Sequence, residues 1–280
     1  SDHGNAVLIH KIYMEFYIDD WKYSFEEIDG EKQLSIDNGR SAPSSLFKYY
    51  SISPHSVSAL ENNQFYVSQP DDFNDLFDSS DQRLDFSKIT FRDVLAIFQG
   101  TDQSKLEEWW NEALKNEIVF YDLVQLCRNT LYQVMVSKFG ILCLTPNGEH
   151  ELMWAYYNNN HGFCIEFDHS KFPDNFRGPF PIKYHESLQP IDFNHYGGHV
   201  SFYMLTLSKK AIWRHEEEYR YLVLPSSRPF KVSGRFDNSH YELPFGDRLE
   251  KYPKEAIVSV TFGFNFLKDS EFNQVGENEY

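Results

Sequence analysis

The residues of this 280-residue chain best suited to chemistry stand in one run, Trp213-Arg214-His215-Glu216-Glu217-Glu218-Tyr219-Arg220-Tyr221-Leu222-Val223-Leu224-Pro225. Read as a helical approach into a strand that Pro225 stops, the run puts Glu216, Glu218 and Arg220 on one face, because strand side chains alternate with period two. Glu217, Tyr219, Tyr221 and Val223 take the other face, which suits a core beyond Glu217. Alternate strand residues lie roughly 6.5 Å apart, close enough for each carboxylate to raise the other's pKa. Arg220 would offset that repulsion. A carboxylate held in this way can stabilise a cation or take a proton. Taken alone, E-x-E-x-R is more simply a solvated strand face with a surface ion pair.

Other stretches must position this run. Leu46–Tyr50 reads as a strand. Ser53 is a helix N-cap with Pro54 at the first helical position, and 64–68 reads as a second strand. The loop 69–78 combines turn formers with Phe73 and Phe77. Aromatics in a polar loop call for burial, so this loop is expected to be fixed along a cleft, with Asn74 and Asp75 bonding backbone groups. Its acids lack the glycine and distal glutamate of a calcium loop, and no metal is expected. The near-continuous apolar run 139–145 predicts a central strand. A short helix over 149–158, with Leu152, Met153 and Tyr156 inward, leads to a strand over 162–168. Further strands are expected at 180–184, 217–224, 230–232, 241–243 and 257–263, with a helix from about His199 to Ile212.

Helical spacing of Leu106, Trp109, Trp110, Ala113 and Leu114, then of Val119, Leu123, Leu126 and Leu131, predicts a helical insertion over 88–138. Residues 1–45 read as a decorating segment, aromatic and of mixed period at first, then a polar loop. One α+β domain is expected over 46–268, followed by an acidic tail at 269–280. Lys and Arg total 26 against 42 Asp and Glu, a net charge of −16 that argues against broad binding to nucleic acid or an anionic membrane. Three cysteines within apolar runs read as reduced, buried thiols of a cytoplasmic protein. No apolar run reaches the roughly 18 residues of a membrane span.

The order of these stretches resembles the bacterial DUF2971 family, over about residues 46–265. The likeness rests on five blocks: Leu46–Tyr50; Pro70 to Phe77 with Phe73, Asn74, Asp75 and Phe77 matching; 152–157 through 162–167; Trp213, Glu216, Glu218 and Arg220; and 258–263. That family is in turn remotely similar to ADP-ribosyltransferases. The resemblance implies two small, mostly antiparallel sheets around a cleft that takes NAD as a substrate. By that likeness Glu218 stabilises a ribosyl cation and Glu216 helps activate the acceptor. Lys48 or Tyr50 and Thr145 hold the cofactor, Trp154 and Tyr157 wall the nicotinamide, and Arg220 supplies positive charge. Tyr50 stands where the family usually has arginine, and Thr145 where serine is common. The implied activity is that of an NAD-consuming transferase or glycohydrolase, as in a toxin or anti-phage defence effector. The alternative is a non-catalytic sensor on the same scaffold. A metal-dependent nuclease using Asp75, Asp78 and Glu218 ranks below both.

Overall fold

Apolar and charged residues alternate through Phe16, Tyr23, Phe25 and Leu34, and in the computed structural model, which describes residues 11–28, 31–232 and 246–266, they lie on strands. Strands β1 (Lys11–Ile18), β2 (Trp21–Ile28) and β3 (Glu31–Asp37) form an antiparallel meander. Phe16 stacks on Tyr23 at 5.1 Å, and Tyr23, Phe25 and Leu34 are buried. The stretch expected to be a polar loop is therefore partly a strand. Leu34 and Ile36 alternate with polar neighbours there, and pairing to β2 satisfies the backbone that a loop would leave to water. This meander belongs to a unit spanning Ser1–Pro43, while Ser44–Tyr280 forms another.

In order, the larger unit contains β4 (Leu46–Tyr50), α1 (Pro54–Glu61), β5 (Gln64–Tyr66), β6 (Leu84–Asp85), α2 (Phe91–Ile97), α3 (Gln103–Ala113), α4 (Glu117–Lys138), β7 (Gly140–Leu144), α5 (Glu151–Asn158), β8 (Phe163–Phe167), β9 (Phe176–Pro181), β10 (Lys183–His185), β11 (Ile191–Asp192), α6 (Phe193–Thr206), β12 (Ser208–Lys210), β13 (Tyr219–Val223), β14 (Leu249–Lys251) and β15 (Ile257–Phe262). The class is α+β, with several small, mostly antiparallel sheets. Two of them matter most: β7-β13-β9 and β15-β8-β4, both antiparallel. They meet where Phe47 of β4 exchanges backbone hydrogen bonds with Thr145 just past β7, at 2.7 and 3.0 Å. Ser68 pairs with Ile141 in the same way at 2.8 Å. Gly140 permits that approach, since a Cβ there would lie 2.2 Å from Val67 Cγ2.

One apolar core joins the sheets. It includes Leu46, Phe65, Leu142, Leu144, Phe163, Ile165, Phe167, Tyr221 and Val223. Burying each such side chain contributes about 1.5–3 kcal/mol. Helices α2, α3 and α4 pack a second core around Leu106, Leu123 and Cys127 against Phe193 and Leu205 of α6. Helix α5 buries Met153 but leaves Leu152 and Tyr156 exposed, against the expected inward triplet. With only two turns, it presents a narrow stripe to β4.

The helix expected to reach Ile212 ends at Thr206, and residues 208–210 pair in parallel with β10. Thr206 and Ser208 donate their hydroxyls back to the carbonyls of Phe202 and Met204, competing with helix propagation. Gly197, at φ 70°, kinks α6 between His195 and His199, so the two do not share one regular helix face. The strand expected at 230–232 is reduced to an isolated bridge at Phe230. The expectations for 241–243 and 269–280 lie outside the described residues.

Candidate active site

The junction of the two sheets encloses a cavity of about 310 Å³. Strand β4 contributes Lys48, β7 contributes Cys143, Thr145 follows β7, and β13 contributes Arg220; Glu216 and Glu218 precede β13. Phe73 and Asn74 of the loop, Tyr157 of α5 and Lys209 of β12 complete the polar wall. The expected residues Lys48, Thr145, Tyr157, Glu216, Glu218, Arg220, Phe73 and Asn74 thus meet in one place. Tyr50, Trp154, Asp75 and Phe77 do not line it. Tyr50 lies farther along β4, stacked on Phe163 at 5.1 Å. Trp154 packs edge-on against Tyr49 and donates Nε1 to the Gly148 carbonyl at 3.1 Å, a role in packing.

Glu216 and Glu218 come together by a different route from strand periodicity. Residues 211–216 form a 3-10 turn, and Glu217 takes a left-handed conformation at φ 47° before the strand begins. That conformation costs a non-glycine residue about 1 kcal/mol, so the surrounding contacts must impose it. They do so through Lys209. Its ammonium donates to Glu216 and to Glu218, the latter at 3.1 Å, and lies 3.4 Å from Asp78. Arg220 donates Nε to Glu218 at 2.7 Å and both terminal nitrogens to Asp78 at 2.6 and 2.8 Å. It also donates to the Thr206 carbonyl at 2.7 Å, at the negative end of α6. Tyr184, set beside Lys209 by the β10–β12 pairing, accepts the Glu218 backbone N–H at 2.9 Å.

All five charged groups are buried: Asp78, Lys209, Glu216, Glu218 and Arg220 are each at most 5% exposed. The solvated strand face is thereby excluded. Three carboxylates face two cations, so one negative charge is in excess. Burial first, then the charge of Glu218, raises the pKa of Glu216. Burial opposes ionisation of Glu218 as well, but Arg220 and Lys209 outweigh it and hold its carboxyl far below the usual range. Burial alone would lower Lys209, yet Glu218, Asp78 and Glu216 together hold it above its ordinary value. Two carboxylates two residues apart are thus driven in opposite directions. Tyr157 donates its hydroxyl to Glu216 at 2.6 Å and orients the carboxyl whose pKa is raised.

Asp75 bonds loop backbone as expected, but the expected burial of Phe77 is not seen. Phe73 lies against the Arg220 guanidinium at 5.0 Å, and Phe77, half exposed, lies under the Lys210 ammonium at 3.4 Å. Asp75 accepts the Phe77 backbone N–H at 3.0 Å, while Asn74 faces the cavity. Sequence reasoning missed Lys209 altogether and considered Asp78 only as a metal ligand. The available signal was Lys209 itself, set between the apolar runs 202–207 and 211–213, where a lysine must find buried acids.

Among the described residues, no group of three or more His, Cys, Asp and Glu side chains is arranged to hold a metal ion, and no helix is long and apolar enough to cross a membrane. Comparisons with protein-family models, with curated proteins and with solved structures gave no match.

Proposed function

We propose that the cavity at the sheet junction cleaves an N-glycosidic bond of NAD or a close analogue, as the resemblance to DUF2971 proteins and, through them, to ADP-ribosyltransferases implies. One observation carries the reading: Glu216 and Glu218 occupy one cavity with their pKa values pushed apart. Such a division separates an acid–base group from a permanent anion. The bond between the ribose carbon and the nicotinamide nitrogen breaks, and its electron pair leaves with nicotinamide. The ribose carries the positive charge, and Glu218 lowers the energy of that state because its charge is fixed in place beforehand. Water or an acceptor hydroxyl then bonds to the ribose carbon, and Glu216 takes its proton. A raised pKa makes Glu216 the stronger base once it is ionised. Lys209 and Arg220 keep Glu218 ionised, Lys48 faces the substrate from the other sheet, and Thr145 faces it from the end of β7, beside β13.

A second reading has its own support. Arg220 and Lys209 engage both oxygens of Glu218, and a carboxylate so compensated suits ligand binding without turnover, as in a sensor. Nicotinamide release from NAD separates the two. The enzyme reading expects steady release by the unaltered protein, and in Glu216→Gln a loss of transfer to the acceptor with slow hydrolysis retained. Saturable NAD binding with no release would favour the sensor.

A further inference from the structure

A second, larger cavity of about 690 Å³ adjoins the first in the same unit, and Lys48 and Ser68 line both. Its wall inverts the charge of the chain. Lys48, Lys231 and Arg248 stand there with His55, against the single carboxylate of Asp247, in a protein of net charge −16. The charge of Arg248 is buried and has no bonded carboxylate to offset it. All its donors go to backbone carbonyls: Nε to Val67 at 2.7 Å, and the terminal nitrogens to Val136, Lys231, Ser68 and Phe139 at 3.0–3.4 Å. Lys48 reaches the junction of the cavities with one hydrogen bond to protein, to the Cys143 carbonyl at 3.3 Å. The same ammonium lies 5.6 Å from the centre of the Tyr50 ring, which also lines the second cavity. Tyr66 adds a flat ring to this wall, 47% exposed and held in place by donation of its hydroxyl to Asp72 at 3.0 Å.

Cations that lack carboxylate partners attract phosphate, and a positioned, half-open aromatic ring accepts a base by stacking. We infer that the second cavity binds the nucleotide half of a dinucleotide, with its base against Tyr66 and its diphosphate running past Lys48 into the first cavity. The carboxylate cluster then faces the other half. Only the part concerning the first cavity rests on the function proposed above; the second cavity stands as a nucleotide site by its own residues.

Calorimetric titration of the full chain with AMP and with ADP-ribose tests this. Saturable binding of both is expected. Lys231→Glu, a change at an exposed side chain, should weaken both by about tenfold or more. Tyr66→Ala should weaken both by a similar factor. Lys48→Met should weaken ADP-ribose more than AMP. Failure of both probes to bind, or binding indifferent to both Lys231→Glu and Tyr66→Ala, overturns the inference. AMP binding that depends on Lys231, in a protein that leaves NAD intact, would remove the proposed reaction and keep the site. NAD cleavage with an unchanged KM in Lys231→Glu and Tyr66→Ala would do the reverse.

Discussion

Two buried arginines stand at the walls of adjoining cavities and are held in opposite ways. Arg220 is bound by the carboxylates of Asp78 and Glu218, and Arg248 by backbone carbonyls. Burial lowers the pKa of both, but Asp78 and Glu218 more than reverse this for Arg220, whereas Arg248 stays below its ordinary value. The carbonyls satisfy the donors of Arg248 without cancelling its charge, whose field therefore extends into the second cavity. Around Arg220 the charge is cancelled locally, and what remains is a surplus negative charge that, with burial, raises the pKa of Glu216. Two buried arginines thus give a carboxylate-rich cavity on one side and a cationic one on the other.

Breaking each arginine separately gives the largest effect. Arg220→Met strands two carboxylates in the interior and is expected to cost about 3–5 kcal/mol. Arg248→Met leaves several carbonyls unpaired, at about 1–3 kcal/mol each where no water replaces the guanidinium. Rescue separates the cases. Asp78→Asn should recover about 1 kcal/mol or more in the Arg220→Met background, and neither Asp72→Asn nor Asp247→Asn should recover stability after Arg248→Met. Urea denaturation of the double variants measures this. Rescue at Arg248, or none at Arg220, would dissolve the contrast.

Titration of the cluster sharpens it at intermediate size. The folded state raises the Glu216 pKa above its ordinary 4.5, so the folded protein binds the extra proton. The stability from that proton is present below about pH 4.5 and is lost as pH rises through the raised value. Glu218 has the opposite sign: its contribution is present above about pH 4.5 and is lost as pH falls toward its depressed value. Denaturation midpoints measured as pH rises from about 4.5 through the raised Glu216 value should therefore decline less steeply in Glu216→Gln than in the unaltered protein. An unchanged slope would assign the titration elsewhere.

Tyr157→Phe should have the smallest effect. It removes one hydrogen bond to Glu216, worth about 1 kcal/mol. Because that bond favours ionised Glu216, its loss should shift the acid limb of any NAD-cleavage profile to higher pH while leaving the plateau rate nearly unchanged. Loss of the plateau instead would place Tyr157 in contact with the reacting atoms.

The parts legible in the sequence were those governed by local pattern. Leu46–Tyr50, Phe163–Phe167 and the capped helix at Ser53-Pro54 follow from alternation and end signals, and the structure has them where expected. The site was partly legible because Glu216, Glu218 and Arg220 are near in sequence. Their shared face was right in outcome and wrong in cause: Glu217 breaks the strand, and Lys209 gathers the carboxylates. Lys209 itself depended on a parallel pairing between β10 and β12, more than 20 residues apart, which no local spacing encodes. The burial of Arg220 depended likewise on Asp78, 142 residues away in the chain.

The central claim is that Glu218, ionised and fixed, stabilises positive charge on a ribose. Its most direct test is the single-turnover rate of nicotinamide release from NAD by Glu218→Gln, with ADP-ribose affinity and urea stability measured alongside. A loss of about a hundredfold in rate, roughly 3 kcal/mol of barrier, with ADP-ribose still bound and the fold intact, is the expected result. Undiminished cleavage in that variant would contradict the account.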